Sequence, residues 1–366
     1  MNSKRTTPFH ITGVDSLGQG VSKMTEKVTF IAKTTLGDEG EAEIMSEKKG
    51  VAFARLKKLN KSSDLRVEPD CKHYSSCPSC HYLHVNYSDE LKFKRENFAK
   101  LFRKLPLKNF EVIGAPRRSG YRNRIQLHYS LKSKLIGMRD PQNFTIHPIP
   151  NCLLGLPEVL KEIQRLYENN QWMIEAPPAP IEGHVEIYWN NNKLQTSWNK
   201  PYSEGGFSQV YEEMNKKLKD ILMEEFKKNS ISGILDLFGG AGNLSSGLNY
   251  KNRLCVDIYQ NLKGEDFLSL NLYEENSLGK VMKEIKNRPF TLTHLILDPP
   301  RSGLKDLALW LQQLRPKYVA YVSCDPHTMA RDLEKLEGYS IQRSLLFDFF
   351  PSTFHFESLI FLERKE

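Results

Sequence analysis

Three predicted strand ends in the second half of the sequence carry side chains that could perform covalent catalysis. Asp298 follows the apolar run LIL and precedes two prolines, Cys324 follows YVS, and Glu357 lies in FHFES. Asp325 can cap the helix that follows Cys324. The positive end of that helix would lower the pKa of the Cys324 thiol, whereas the negative charge of Asp325 would raise it. Taken singly, Cys324 could be a buried structural cysteine and Glu357 a solvated strand residue. Together in one α/β region they favour covalent catalysis.

A glycine-rich turn predicts a site for a nucleoside cofactor. The strand ILDLF, residues 234–238, leads into GGAGN, and glycines allow a close backbone approach where a Cβ would clash. Gly240 and Gly242 nearly fit the dinucleotide fingerprint, and Asp257 ends the next strand, where it could bind ribose hydroxyls. The loop alone does not decide between NAD and S-adenosylmethionine, and a tight turn without a ligand is a third explanation.

A thiol, a carboxylate and a methyl donor are the groups that methylation of a pyrimidine ring carbon requires. C5 of uracil is a poor nucleophile, but a thiolate that adds to C6 makes the ring an enolate whose C5 can attack a sulfonium methyl. A base must then remove the C5 proton so that the thiol can be eliminated. The uracil must also leave its stack. Hydride transfer and N- or O-methylation impose no such requirement.

A cluster of cysteines indicates a metal site. Cys71, Cys77 and Cys80 have the spacing CX5CX2C, which places three thiolates within ten residues. Zinc and iron–sulfur clusters each need four ligands as a rule, and spacing does not separate them. The candidates for the fourth ligand are Cys152, His81, His84 and Cys255. We assign Cys255 to the core, because it lies on the strand that ends at Asp257.

Length and composition restrict the class of protein. The 366 residues predict two or three domains, and 39% apolar residues are too many for a disordered chain. No apolar run is long enough to predict a transmembrane helix, and no secretory signal is visible. We therefore expect a cytoplasmic protein without membrane contact, in which clustered cysteines bind metal rather than form disulfides.

The net charge of +8 is concentrated in one part of the chain. Residues 92–139 contain fourteen basic and two acidic residues. A charge run is usually a solvated face, but here it continues from a helix into strands. Four aromatic residues are interleaved with it, namely Phe98, Phe102, Tyr121 and Tyr129. This pattern predicts a groove that follows phosphates and stacks bases of a nucleic acid.

The elements that would position these groups follow from periodicity and turn signals. Short strands separated by glycine turns predict a small β-barrel over about the first 60 residues, and Ser88 can cap a helix that extends to Leu105. Asn191 and Asn192 predict a hairpin turn. Beyond an amphipathic helix at about 208–228, strands alternate with helices, which predicts a mostly parallel sheet that binds ligands beyond its strand carboxyl ends.

The motifs FSQVY, DLFGGAGN, LDPPRSG, VSCDP and FHFES, in this order, resemble those of the RNA uracil-5 methyltransferase family. The resemblance covers essentially the whole chain and implies an α/β, Rossmann-like class I methyltransferase domain. The amino-terminal barrel resembles a TRAM domain, an OB-like RNA-binding module. The cysteine set with Cys152 resembles the [4Fe-4S] site of the bacterial 23S rRNA members. Because tRNA enzymes of this family generally lack both additions, the resemblance points to 23S rRNA. We also expect a monomer.

The resemblance also implies a division into domains. Residues 1–60 would form the TRAM barrel, and residues 61–86 with 118–205 a small α+β iron–sulfur domain that binds RNA. Residues 87–117 with 206–366 would form the methyltransferase domain.

Residue roles are carried over by the same resemblance. Cys324 would be the C6 nucleophile, Glu357 the base that takes the C5 proton, and Asp298 would lie between the methyl donor and the uracil. The residues implied to bind S-adenosylmethionine are Gln209, Phe238, Gly240, Gly242, Asn243, Asp257, Asn271 and Asp298. The implied cluster ligands are Cys71, Cys77, Cys80 and Cys152, with zinc as the alternative occupant.

The sequence departs from the family pattern at three places. Gly239 stands where cysteine is usual, a change that should be tolerable, and Tyr211 stands where asparagine is usual. Only about a dozen residues separate Asp257 from Asn271, which leaves little room for the usual helix and predicts a more open adenosine pocket. The alternatives are a non-catalytic RNA-binding or ribosome-assembly protein with a degenerate methyltransferase fold, the same chemistry on tRNA, and, more distantly, an NAD-dependent oxidoreductase.

Overall fold

The computed structural model describes residues 5–107, 109–201, 209–248, 252–258 and 266–366. The chain divides into two compact units, each built from separate segments. The first unit comprises Met1–Asn97, Pro116–Tyr202 and Phe350–His355, and the second comprises Phe98–Ala115, Ser203–Phe349 and Phe356–Glu366.

The first unit begins with a closed β-barrel. Its strands are β1 (Thr6–Val14), β2 (Gln19–Ser22), β3 (Val28–Ala32), β4 (Glu39–Lys48) and β5 (Val51–Lys61), in the order β1-β2-β3-β5-β4. Alternate residues point inward, as expected for a strand with one buried face. Phe9, Ile11 and Ile31 lie at the centre of its core. The predicted barrel over about 60 residues is therefore confirmed.

The chain then forms helix α1 (Tyr87–Leu101), the short strand β6 (Glu111–Ile113) and the strands of a second sheet. These strands are β7 (Arg124–Ser130), β8 (Leu135–Arg139), β9 (Ile146–His147), β10 (Glu182–Asn190) and β11 (Lys193–Trp198), in the order β11-β10-β7-β8-β9. Helices α2 (Pro157–Tyr167) and α3 (Gln171–Glu175) contribute Val159, Ile163 and Trp172 to the core of this sheet. The predicted hairpin is confirmed, with Asn191 and Asn192 at positive φ between β10 and β11.

The second unit contains a mostly parallel sheet. Its elements are α4 (Glu212–Lys227), β12 (Ile234–Leu237), β13 (Arg253–Asp257), β14 (Phe267–Ser269), α5 (Ser277–Lys286), β15 (His294–Leu297), α6 (Leu307–Leu314), β16 (Tyr318–Ser323), α7 (Pro326–Glu334), β17 (Tyr339–Phe347) and β18 (Glu357–Arg364). The strand order is β14-β13-β12-β15-β16-β18-β17-β6, and β18 runs antiparallel to both of its neighbours. The central strands are buried along their length, as in other parallel sheets covered on both faces. The predicted α/β alternation is confirmed.

The prediction that aromatic residues of the basic segment stack bases is wrong. Phe98, Phe102, Tyr121 and Tyr129 are each at most 1% exposed. The helical spacing of Phe98 and Phe102 directs both rings into the core of the second unit, and strand alternation directs Tyr129 into the core beneath the second sheet.

Several basic side chains of this segment are also internal rather than part of a groove. Lys94 is fully buried and donates to Glu90 at 2.8 Å. Arg118 donates to the same carboxylate at 3.0 Å and to the carbonyl oxygen of Val85. A buried charge is stable only when paired in this way, so these cations serve the fold instead of a polyanion.

Candidate active site

Strand register brings two of the predicted catalytic residues to the same edge of the sheet. β16 and β18 are antiparallel, and their last pair at this edge is Ser323 with Ser358. Cys324 directly follows Ser323 and Glu357 directly precedes Ser358, so both residues adjoin this pair. The charge of Glu357 acts on the Cys324 thiol, which shows that the two side chains are electrostatic neighbours. Glu357 is 2% exposed, whereas Cys324 is half-buried.

The turn that carries Cys324 is fixed by hydrogen bonds on both sides. The Ser323 hydroxyl accepts the Asp325 N–H at 3.1 Å and donates to the Asp325 carbonyl at 3.0 Å. Asp325 Oδ1 in turn accepts the N–H groups of His327 and Thr328, which confirms the predicted cap of α7. The thiol therefore lies on a rigid strand-to-helix junction.

Electrostatics at this junction favour neutral groups. Burial raises the pKa of Cys324 to about 12, with further increases from Glu357 and Asp298. Burial also raises the pKa of Glu357 well above its usual range, and the charge of Asp298 adds to that shift. The expected stabilisation of a thiolate by the helix end is thus outweighed by burial.

Arg301 is a functional candidate that the sequence reasoning missed. Its guanidinium hydrogen-bonds the Cys324 sulfur and opposes the rise in the thiol pKa, and its charge also lowers the pKa of Glu357. The available signal was its position in LDPPR, three residues after Asp298, which places a cation at the same strand end.

The glycine-rich turn adopts the backbone conformation that a close-approach loop needs. Phe238, Gly240 and Gly242 all have positive φ, which is costly for the phenylalanine. The Gly240 N–H donates to Asp257 Oδ2 at 2.8 Å, so the carboxylate of the next strand holds the turn. An added Cβ at Gly240 would meet no atom of the described residues within 4 Å, so these residues leave space beside the loop.

A buried carboxylate lies below this turn. Asp236 is fully buried, and its Oδ2 accepts the Ser245 hydroxyl at 2.5 Å, whereas its Oδ1 has no hydrogen-bond partner among the described residues. Burial raises the pKa of Asp236 to about 6, and that of Asp298 to about 7 with contributions from Asp236 and Asp257. Three carboxylates thus interact at the ends of β12, β13 and β15. An orphaned buried oxygen beneath an open glycine loop fits a polar, positively charged ligand such as S-adenosylmethionine.

The other residues predicted to bind the cofactor have varied surroundings. Gln209 is buried. The side-chain amide of Asn243 makes two hydrogen bonds with that of Asn215 in α4, at 2.9 and 3.0 Å. Asn271 Oδ1 accepts the N–H of Tyr273.

Tyr273 was not predicted from the sequence to belong to the site. It is 51% exposed, and its ring centre lies 5.3 Å from that of Phe238.

Two predictions fall partly outside the described residues. They are the start of FSQVY, at 207–208, and the shortened connection, at 259–265.

The four cysteines implied as cluster ligands line one cavity of about 30 Å³ in the first unit; these are Cys71, Cys77, Cys80 and Cys152. All are free thiols. Burial raises the pKa of Cys80, with the charges of Cys152 and Cys77 next in importance, so the sulfurs are electrostatic neighbours. Within the described ranges, no group of three or more His, Cys, Asp or Glu side chains has the geometry to hold a metal ion. The four thiols in this lining nevertheless have the ligand chemistry of an iron–sulfur cluster.

Two of the other candidates for a fourth ligand have contacts of their own. The Nδ1 atom of His84 is hydrogen-bonded to the Tyr74 hydroxyl at 2.6 Å. Cys255 lies in β13 of the second unit, buried beside Asp236.

A lysine from the barrel holds the cysteine-bearing loop. Lys33 Nζ donates to the carbonyl oxygen of Cys77 at 2.8 Å and also to that of Tyr74. The ammonium lies 4.7 Å from the centre of the Tyr74 ring. Sequence reasoning did not find Lys33, because no local pattern links the barrel to residues 74–77.

The sheet order and the glycine-rich turn are those of the class I methyltransferase fold. In a solved structure, the tRNA (uracil-54, C5)-methyltransferase of Pyrococcus abyssi in complex with S-adenosyl-L-homocysteine has the same fold. Its TM-score is 0.71 at 20% identity, over 97% of this chain and 99% of that chain. Residues 256–365 match the family model of the tRNA (uracil-5-)-methyltransferases.

Curated relatives extend this similarity to the whole chain. The 23S rRNA (uracil(1939)-C(5))-methyltransferase RlmD of Shewanella woodyi is 26% identical over 97% of this chain and 95% of its own length. The RlmD protein of Vibrio campbellii is 25% identical over 96% of this chain and 94% of its own length. The resemblance to the RNA uracil-5 methyltransferases is thereby confirmed, as is the prediction of an enzyme of the methyltransferase class. Among the described helices, none has the length and hydrophobicity of a membrane span.

Proposed function

We propose that this protein methylates C5 of a uridine in 23S rRNA, at the position equivalent to uracil 1939 named for the relatives. The observation that carries the proposal is that Cys324 and Glu357 adjoin the Ser323–Ser358 pair and interact electrostatically, with Asp298 and Arg301 acting on both. A thiol with a neighbouring carboxyl group is what covalent activation of uracil requires and what simple N-methylation does not.

In the proposed reaction, the Cys324 thiol gives its proton to solvent and the thiolate forms a bond to C6 of uracil, while the electrons of the C5–C6 double bond make C5 nucleophilic. S-adenosylmethionine, when bound, would supply the methyl group that C5 takes, with S-adenosylhomocysteine as the leaving group. Glu357 must act in its ionised form, which burial opposes and the charge of Arg301 favours. It then takes the proton from C5, and the electrons of that C–H bond restore the ring double bond and expel the Cys324 thiolate. Arg301 stabilises the thiolate both before addition and after release, because it hydrogen-bonds the sulfur.

The cofactor would be held at the carboxyl ends of β12, β13 and β15. The orphaned Oδ1 of Asp236 and the open space beside Gly240 support this placement. The residues that we propose as its binding set are Gln209, Phe238, Gly240, Gly242, Asn243, Asp257, Asn271 and Asp298. Asp257 would act in part by holding the glycine turn.

The cavity lined by cysteines supports a [4Fe-4S] cluster on Cys71, Cys77, Cys80 and Cys152, with zinc as the alternative. We further propose that the barrel is a TRAM-type RNA-binding module in a three-domain organisation with borders near residues 60, 87, 118 and 206. The protein would act as a cytoplasmic monomer.

The same chemistry on tRNA is a second candidate, because the matching family model and the solved neighbour both carry tRNA in their descriptions. Purified protein should be incubated with labelled S-adenosylmethionine and either 23S rRNA or tRNA from cells that lack the protein, followed by mapping of 5-methyluridine. Label in 23S rRNA supports the proposal, and label only in tRNA reassigns the substrate. Absence of measurable S-adenosylmethionine binding would favour a non-catalytic RNA-binding protein.

A further inference from the structure

The hairpin between β8 and β9 presents an exposed aromatic ring. Phe144 is 62% exposed. In the described part of the chain, Phe144 and Tyr273 are the aromatic residues with more than half of their surface exposed. Phe144 also has a φ of 61°, a left-handed conformation that a bulky side chain adopts only at a cost in free energy. Such a cost persists where the surroundings impose the conformation, and it is common at recognition sites.

The loop holds Phe144 through a set of short-range hydrogen bonds. The Phe144 N–H donates to the Asp140 carbonyl at 2.9 Å, and the Asp140 N–H donates to the Thr145 carbonyl at 2.8 Å. Asp140 Oδ1 accepts the N–H of Gln142, and Asn143 Oδ1 accepts that of Thr145. The ring is therefore presented in a preorganised loop and loses little conformational freedom when a ligand binds.

The surroundings of the ring are cationic. The Arg139 guanidinium lies 4.6 Å from the centre of the Phe144 ring. Ile136 and Met138 face the core beneath helices α2 and α3, so alternation places Arg139 on the opposite, open side of the sheet. Lys132 and Lys134 in the preceding turn are exposed. Asp140 is the sole acidic residue between His128 and His147, and its carboxylate already binds the loop.

We propose that Phe144 and Arg139 form a stacking platform for an unpaired base of the RNA substrate. This inference rests on the proposed function and names a contact surface for that RNA. A planar base can stack on an exposed ring, and the adjacent guanidinium can contact its phosphate or extend the stack. The predicted stacking residues of the basic segment are buried, whereas Phe144 is the most exposed aromatic among the described residues.

The test is equilibrium binding of a single-stranded 23S rRNA fragment that contains the target uridine. Phe144→Ala is expected to weaken binding by about 5-fold to 100-fold, and Phe144→Trp to retain it. Gln142→Ala, in the same loop, is the matched control and should leave affinity unchanged. Phe144→Ala should not change the slope of affinity against salt, whereas Arg139→Met should reduce that slope by about 0.7.

Phe144→Asn separates recognition from folding. Asparagine tolerates the left-handed conformation, so this variant should be at least as stable as wild type and yet bind RNA as weakly as Phe144→Ala. If wild type binds the fragment and Phe144→Asn binds it equally well, the platform is wrong and the proposed function stands. If wild type binds neither rRNA nor tRNA, both the proposed substrate and the platform are wrong.

Discussion

The thiol of Cys255 fills the space that a side chain on Gly239 would need. A Cβ at position 239 would lie 2.5 Å from the Cys255 sulfur and 2.7 Å from Cγ of Asp236. Position 239 must therefore remain without a side chain, so glycine there is required by packing and not merely tolerated.

Gly239→Ala should accordingly destabilise the fold by about 1–3 kcal/mol, the usual cost of overpacking. Gly279→Ala is the control, because a Cβ there meets nothing within 4 Å in helix α5. Denaturant unfolding measures both. In a Cys255→Ala background, Gly239→Ala should lower the free energy of unfolding by less than it does in wild type. If the two substitutions change this free energy additively, the steric explanation is contradicted.

Replacement of the proposed nucleophile and base should give different defects. Cys324→Ala is expected to abolish methylation and adduct formation, because the variant lacks the thiol proposed to add to C6. Glu357→Gln should lower the methylation rate by about 10²–10⁴-fold and accumulate an RNA–protein adduct, since the C5 proton is not removed. Denaturing gels with labelled RNA measure the adduct. His327→Ala, an exposed residue of α7, is the control, and an active Cys324→Ala protein would overturn the mechanism.

The reactivity of Cys324 should report its charged neighbours. Alkylation by iodoacetamide, followed by mass spectrometry of the peptide that contains Cys324, should show a thiol pKa far above the ordinary value of about 8.5. Glu357→Gln removes a negative charge and should lower this pKa, which speeds alkylation at pH 9. Arg301→Met removes a positive charge and a hydrogen bond, so it should raise the pKa and slow alkylation. Slower alkylation of Glu357→Gln and faster alkylation of Arg301→Met than of wild type would contradict the proposed electrostatic neighbours of Cys324.

The cysteine-lined cavity predicts iron in protein purified without oxygen. Visible absorbance and iron analysis should detect the cluster, and a chelator that removes it should lower the melting temperature, because metal binding stabilises the folded state. Lys33→Met removes the donor to the Cys77 and Tyr74 carbonyls and should hasten loss of iron in air. Lys23→Met, an exposed barrel lysine, is the control. Detection of zinc without iron would show that the four cysteines form a zinc site instead of a cluster site.

The sequence predicted those features that depend on local patterns. Glycine turns and alternation located the barrel, Asn191 and Asn192 fixed a hairpin, and Asp325 identified the start of α7. Long-range pairing was not predictable, because periodicity says which face of an element is buried but not which partner it meets. Arg301 near Cys324 is one example of such a pairing.

The basic segment shows the same limit. Charge density along the chain does not reveal that Lys94 is neutralised internally by Glu90. Nor does it reveal that the exposed aromatic of the second sheet is Phe144, which follows the segment in sequence.

The edge strand β6 has a consequence for the order of folding. It pairs in parallel with β17, and Arg343 of β17 forms an ion pair with Glu111 of β6, 232 residues earlier in the chain. During synthesis, β6 leaves the ribosome long before its partner exists, so the sheet is completed only when the carboxyl-terminal strands emerge. A fragment that starts after β6 would expose the edge of β17, and an unpaired edge promotes aggregation. Expression of the methyltransferase sheet alone would therefore require residues 98–115 to be retained.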